Sequence, residues 1–413
     1  MDRYNLMMES TIDMDTRERR ILTVTCYGHF LSHFNVLVFP ALVLPLASRM
    51  HLDMSTVLGI SFWMYLLFGI TALPWGMLAD RLGPRFLFFL FYIGSAVSAI
   101  AAARYIDSPN ALGISLAALG LFSGIYHPIG LGLISREVRQ VSLAMGYNGM
   151  FGNVGLASAP LLTGIINWAW GPAGAYLLLG GMHFLGAALA ILLPITLLSE
   201  GPEAPENQEN GNLSAFFILL IAMMLGGIAY RGATVVMPAY FELKNQGVTH
   251  FFSMMMGREI PGNLVATFTT SLIFFIGILG QYAGGRIGNR FEPRYSYLVF
   301  HAITVPAAFL MGLFHDVPLL ILVFIYTFFL IGMQPIENTL VALFAPRRLH
   351  HSAFGTKFVV TFGIGSFSVK MVEFVERNMG IEATFPVLGC VSALLVGIIF
   401  FLIHHTSKNA KQC

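Results

Sequence analysis

The sequence predicts an all-α membrane protein whose twelve transmembrane helices form two pseudo-symmetric six-helix bundles, and three observations lead there. Hydrophobic residues make up 56% of the 413 and charged residues 11%, about half the charged share of a soluble domain. The apolar residues fall into runs long enough to cross hydrocarbon, which takes about 20 residues per helix. Short patterns in the first half then recur in the second at a nearly constant offset, the mark of a duplicated unit.

Taking the spans in order, apolar runs bounded by charge and turn clusters lie near 21–46, 55–79, 85–104, 111–134, 142–168 and 173–197. No Asp, Glu, Lys or Arg interrupts the stretch between Arg20 and Arg49. A polar stretch follows the sixth run, SEGPEAPENQENGN from Ser199 to Asn212, with the composition of a flexible linker. Six more runs lie near 214–240, 262–284, 295–314, 318–344, 354–375 and 383–404. The expected division is therefore a bundle over 1–198, a linker over 199–213 and a second bundle over 214–413.

Cationic residues orient these spans. Of the 23 Lys and Arg, fifteen fall on the side of the first turn, five (Arg49, Arg104, Lys244, Arg258, Arg377) on the other, and Arg231, Lys357 and Lys370 lie within spans or at their ends. That bias places both termini and the linker in the cytoplasm, as expected of a multi-pass protein of the bacterial inner membrane. The polar start from Met1 to Arg20 lacks the apolar core and small-residue site of a removable signal peptide. Cys26, Cys390 and Cys413 are too scattered for a disulfide framework or a thiolate metal site. No basic tract is long enough to follow a nucleic-acid backbone, so nucleic acid is not an expected partner. No nucleophile elbow or H-E-x-x-H pattern points to an enzyme, and no cofactor is indicated.

The duplication is legible in three places. GMLADRLGPRF (Gly76–Phe86) after the second span aligns with QYAGGRIGNRF (Gln281–Phe291) after the eighth, Pro128-Ile129 in the fourth matches Pro335-Ile336 in the tenth, and Ala144–Gly146 matches Ala353–Gly355. The loop Gly76-x-Leu78-Ala79-Asp80-Arg81-x-Gly83-x-Arg85 resembles the signature between helices 2 and 3 of the major facilitator transporters. That resemblance implies the major facilitator fold, alternating access, and a substrate held near the midplane between the halves. It also implies that Asp80, with Arg81 and Arg85, locks a cytoplasmic gate against the start of helix 11, where Lys357 stands as its partner. The second copy keeps Arg286 and Arg290 but has Gly285 in the position of Asp80. Gly155-x3-Ala159-Pro160-x2-Thr163-Gly164 is similar to the family's antiporter motif, with ordinary small-residue packing as the alternative. Gly124–Val138 and Met145–Gly164 together resemble the fosmidomycin-resistance subgroup and the transporter-like proteins of magnetosome membranes.

Ionisable groups inside spans are costly and are candidates for function. His29 and His33 lie four apart on one face of the first helix, beside Asn35. Tyr126 and His127 lie in the fourth helix, and Tyr230 and Arg231 in the seventh. His33 precedes Pro40 by seven residues and Arg231 precedes Pro238 by seven, so the repeat sets these two at equivalent depths; the family resemblance, in which helices 1 and 7 line the central cavity, implies that they face one another across the path. Arg231 suits an anionic ligand; its alternative is a structural pair with a buried acid or carbonyl. The three histidines either hydrogen-bond neighbouring carbonyls, carry protons, or bind a divalent metal. Glu337, beside Gln334 and Asn338, is the best proton-exchanging carboxylate, against a salt bridge to Arg286 or Arg290. Lys370 and Glu373 are expected to pair with each other.

The leading expectation is a proton-coupled secondary transporter, an exporter or antiporter, of a small polar or anionic organic compound, acting as a monomer in the bilayer. A carrier of iron, another divalent metal or a metal chelate is the alternative with the same fold. A non-transporting scaffold or sensor is the alternative of another class, which the intact Asp80 and Arg81 argue against.

Overall fold

A computed structural model describes residues 14–193, 212–345 and 350–409. The expected linker lies outside them apart from Asn212 and Leu213. Among the described residues every regular element is helical. Ten helices among the described residues are long and apolar enough to cross a membrane, and the 50-residue one among them is broken at Gly171. Dividing it there and adding the 19-residue helix Pro293–Met311 gives the twelve passes expected.

These are α1 (Thr16–Ala41), α2 (Met54–Ala79), α3 (Pro84–Arg104), α4 (Pro109–Glu137), α5 (141–170), α6 (172–192), α7 (Leu213–Lys244), α8 (Gly262–Arg290), α9 (Pro293–Met311), α10 (Asp316–Phe344), α11 (Gly355–Met379) and α12 (Ile381–Ser407). Local chemistry sets their ends. The first helix begins at Thr16 rather than near 21, because Asp15 and Glu18 form a capping box: each side chain accepts the other's backbone N–H, at 2.8 and 3.2 Å. Proline opens α3, α4 and α9, where its missing N–H leaves no bond unmade. Gly171 sits at φ 72° and is followed by Pro172, so the chain turns there and α6 runs back beside α5.

Close helix contacts hold the first six helices to the last six. Along α5 and α8, Asn153 donates to Gln281, the Leu161 N–H to Ser271 Oγ at 2.8 Å, and Asn167 to Asn263 at 3.0 Å. Where α2 crosses α11, a Cβ on Gly69 would overlap the backbone of Gly363. There α11 departs from α-helical geometry, as a π-turn over Val359–Gly363 and a 3-10 turn over Ile364–Ser366. Such interruptions concentrate at functional sites. Gly155 and Gly164 each make a close approach, to the Phe30 backbone and to Thr267. Packing alone accounts for both glycines of the antiporter-like motif.

Candidate functional site

Two polar centres lie inside this apolar bundle. In the first, α1 presents His29 and His33 on successive turns, and α4 brings His127 against them. Ring centroids are 4.8 Å apart for His29 and His33, 5.3 Å for His29 and His127, and 5.5 Å for His33 and His127. His29 Nδ1 lies 2.8 Å from the carbonyl oxygen of Asn148, which can only accept, so this nitrogen carries the proton. The same ring stacks on Tyr126 at 5.0 Å. Tyr126 is fixed in turn, accepting from the Asn148 amide at 2.8 Å and donating to the Thr25 carbonyl at 2.9 Å. His127 is only 5% exposed, and neither ring nitrogen has a hydrogen-bond partner among the described residues. Phe358 and Phe362 of α11 stack on it at 4.8 and 6.2 Å, so the His cluster lies against the second set of six helices.

Arg231 enters from α7, 2% exposed, with its guanidinium carbon 4.1 Å from the centre of the Tyr65 ring and 6.0 Å from that of Tyr230. A guanidinium over an aromatic face gains a cation–π attraction that keeps the charge buried without neutralising it. No carboxylate pairs with Arg231 among the described residues, and its Nε has no hydrogen-bond partner. Asn35 takes a different part. Both ends of its amide are engaged, donating to Ser123 Oγ at 2.7 Å and accepting from His183 Nε2 at 2.9 Å, which ties α1 to α4 and α6.

The second centre lies towards the end of the bundle that carries the described termini. Glu337, buried in α10, pairs with Lys357 of α11 at 2.8 Å and accepts from the Tyr297 hydroxyl at 2.9 Å. Lys357 also donates to Asn338, and His301 packs edge-on against Tyr297 at 4.6 Å. The expected partners of Glu337 were Arg286 and Arg290. Both are exposed instead, lying over the rings of Tyr282 and Phe291, and Lys357 takes the place expected of them. Lys357 is correspondingly committed to Glu337 and Asn338, while the side chain of Asp80 lies outside the described residues. Arg81 and Arg85 are exposed at the same end. A further link joins the helix sets here: Gln281, which accepts from Asn153, donates to Gln334 at 2.7 Å.

At the opposite end, Lys370 pairs with Glu373 at 2.8 Å as expected, and Arg377 joins the same carboxylate at 3.3 Å while reaching Ser55 and Thr56 of α2. Arg49 and Asp107 form a bidentate pair on the surface there, and the guanidinium's hydrogen bonds hold the Asp107 carboxyl below its usual range.

Tyr65, Asn148, His183, Tyr297 and His301 belong to these centres and were not singled out in the sequence. For the histidines a signal existed, a lone ionisable group in an apolar run. For Tyr65 none did, since an aromatic residue in a span is unexceptional.

The family model described as Major Facilitator Superfamily matches residues 25–369. The enterobactin exporter EntS of Salmonella typhi is 26% identical over 262 residues, which cover 59% of this chain and 58% of that protein. Its counterpart from Salmonella typhimurium is 26% identical over 261 residues, 59% of this chain and 57% of that one. The chain thus spans less than two thirds of the length of the curated relatives it matches. Among solved structures, a peptide transporter in complex with sulfate superposes with a TM-score of 0.74 at 14% identity, covering 94% of each chain. A bacterial homologue of the human lysosomal transporter Spinster gives 0.71 at 13%, covering 95% of this chain and 98% of that one. At such identities these likenesses show the fold.

Proposed function

The chain belongs to the Major Facilitator Superfamily, whose members matched here are transporters and not enzymes, and from that premise we propose that it exports a small anionic organic compound by alternating access. One observation carries this reading: Arg231 is a buried, aromatic-flanked cation without a carboxylate partner among the described residues. A buried charge needs compensation. In a transporter whose two six-helix halves, 1–198 and 214–413, rock about a central site, an anionic substrate supplies it. The name of the EntS relatives supports the direction of transport and an organic cargo.

Tyr230, Tyr65 and the three histidines complete the proposed binding site. Proton uptake at His33, His127 or Glu337 biases one state over the other, so that an inward proton gradient drives the cargo out. The Glu337–Lys357 pair closes the cytoplasmic side and is broken when that side opens. Both termini face the cytoplasm of a bacterial inner-membrane protein, and a monomer is the transporting unit.

The test is export from everted vesicles together with a thermal-shift screen of purified protein against organic acids and phosphonates. Arg231→Ala is expected to abolish both anion-induced stabilisation and export. Unchanged values for both would sink the reading.

A further inference from the structure

The histidine cluster has features that anion binding alone does not use. One side-chain nitrogen from each of His29, His33 and His127 can be chosen so that all three lie within 4.8 Å of one another. The proton on His29 Nδ1 is fixed by the Asn148 carbonyl, which leaves Nε2 as a bare lone pair. Orientation of a ligating imidazole by a carbonyl on its other nitrogen is the usual outer-shell arrangement of metal sites. His127 is buried with both nitrogens unpartnered among the described residues, whereas buried polar groups are ordinarily satisfied. Metal–nitrogen bonds of about 2.0–2.1 Å require the three nitrogens to draw in by roughly an ångström, within reach of small side-chain rotations.

Neutral imidazoles select late first-row divalent ions over magnesium or calcium, which prefer oxygen. A bare dication is nonetheless repelled by Arg231, a buried cation that no carboxylate neutralises among the described residues. The two facts are reconciled when the fourth ligand is an anion that Arg231 also contacts. We propose that His29, His33 and His127 form a three-nitrogen site for a late first-row divalent metal ion, which enters with an oxygen-donor organic anion held by Arg231. This rests on the reading of Arg231 given above, and it narrows the substrate class to a metal–organic anion complex.

The test uses the purified full chain in detergent, titrated with cobalt(II) in halide-free buffer with and without acetate. The expected result is one equivalent of cobalt with the intense visible bands of tetrahedral coordination, bound about tenfold more tightly when acetate is present. In Arg231→Gln the bands remain and the acetate effect disappears. His127→Phe and, as a second variant at a half-buried position, His33→Gln lose the bands while keeping wild-type elution and helix content. Weak octahedral bands in the wild type, or tetrahedral bands that survive both histidine variants, would overturn the site. If acetate alone raises the melting temperature through Arg231 while cobalt gives no tetrahedral bands, the metal site fails and the anion reading stands. Tetrahedral bands without an Arg231-dependent acetate effect would overturn the joint entry of ion and anion.

Discussion

The two buried polar centres occupy related positions on a duplicated scaffold and have opposite chemistry. Pro128 of α4 and Pro335 of α10 correspond at an offset of 207, and the same offset relates Glu337 to Gly130 and Gln334 to His127. In α10 that position is an acid satisfied by Lys357 and Tyr297. In α4 it is a glycine so close to the Tyr126 ring that a Cβ there would collide with it, and the polarity moves to His127, which has no hydrogen-bond partner among the described residues. The difference teaches a division of labour. A charge pair with its bonds made joins α10 to α11, while His127 is buried with both ring nitrogens unpartnered among the described residues, as the proposed ligand site requires.

The largest effect should come from breaking the saturated centre. Glu337→Ala leaves the Lys357 ammonium buried without its counter-charge, and the loss should be about 3–5 kcal/mol, read from denaturant or thermal unfolding in detergent. Glu337→Gln combined with Lys357→Met should recover most of it. If the single variant is as stable as the parent, the pair does not carry the packing assigned to it.

Next in size is the crossing of α2 and α11. Gly69→Ala places a methyl group against the Gly363 backbone and should cost about 1–3 kcal/mol by overpacking. Export should fall with it, because the two helices can no longer close on one another; wild-type export in Gly69→Ala would remove this contact from the transport cycle. His127→Leu sharpens the contrast from the other side. Removing a buried ring that makes no hydrogen bond should change stability by no more than about 1.5 kcal/mol while export is lost. A destabilisation as large as that of Glu337→Ala would mean the histidine is structural.

The smallest effect belongs to the exposed Arg49–Asp107 pair. Asp107 is held below its usual range in the folded chain, so its contribution is present above the ordinary carboxylate pKa and is lost as pH falls through the lowered value. Solvent and salt screen the pair, and Asp107→Asn should leave the melting temperature at neutral pH unchanged within error.

How much of this was readable beforehand differs between fold and site. Hydropathy and charge sufficed for the helical passes, because a segment in hydrocarbon must be both apolar and internally hydrogen-bonded. The i,i+4 spacing put His29 and His33 on one face, where their rings meet. Other pairings went differently. Arg286 and Arg290 suited Glu337 when judged by span ends, while Lys357 was assigned to Asp80, and Asn35 was read beside His33 when its partner His183 lies 148 residues away.

By itself the sequence determined which stretches are helical, that they come as two related sets, and which ionisable groups must be buried. Only the tertiary structure decided which of those groups meet: His127 with His29 and His33, Lys357 with Glu337, and Arg231 with Tyr65 and, among the described residues, no acid. The reason is physical. Solvation is a property of a segment and can be summed along the chain, whereas neutralisation of a buried charge depends on a few ångströms between helices that are distant in sequence.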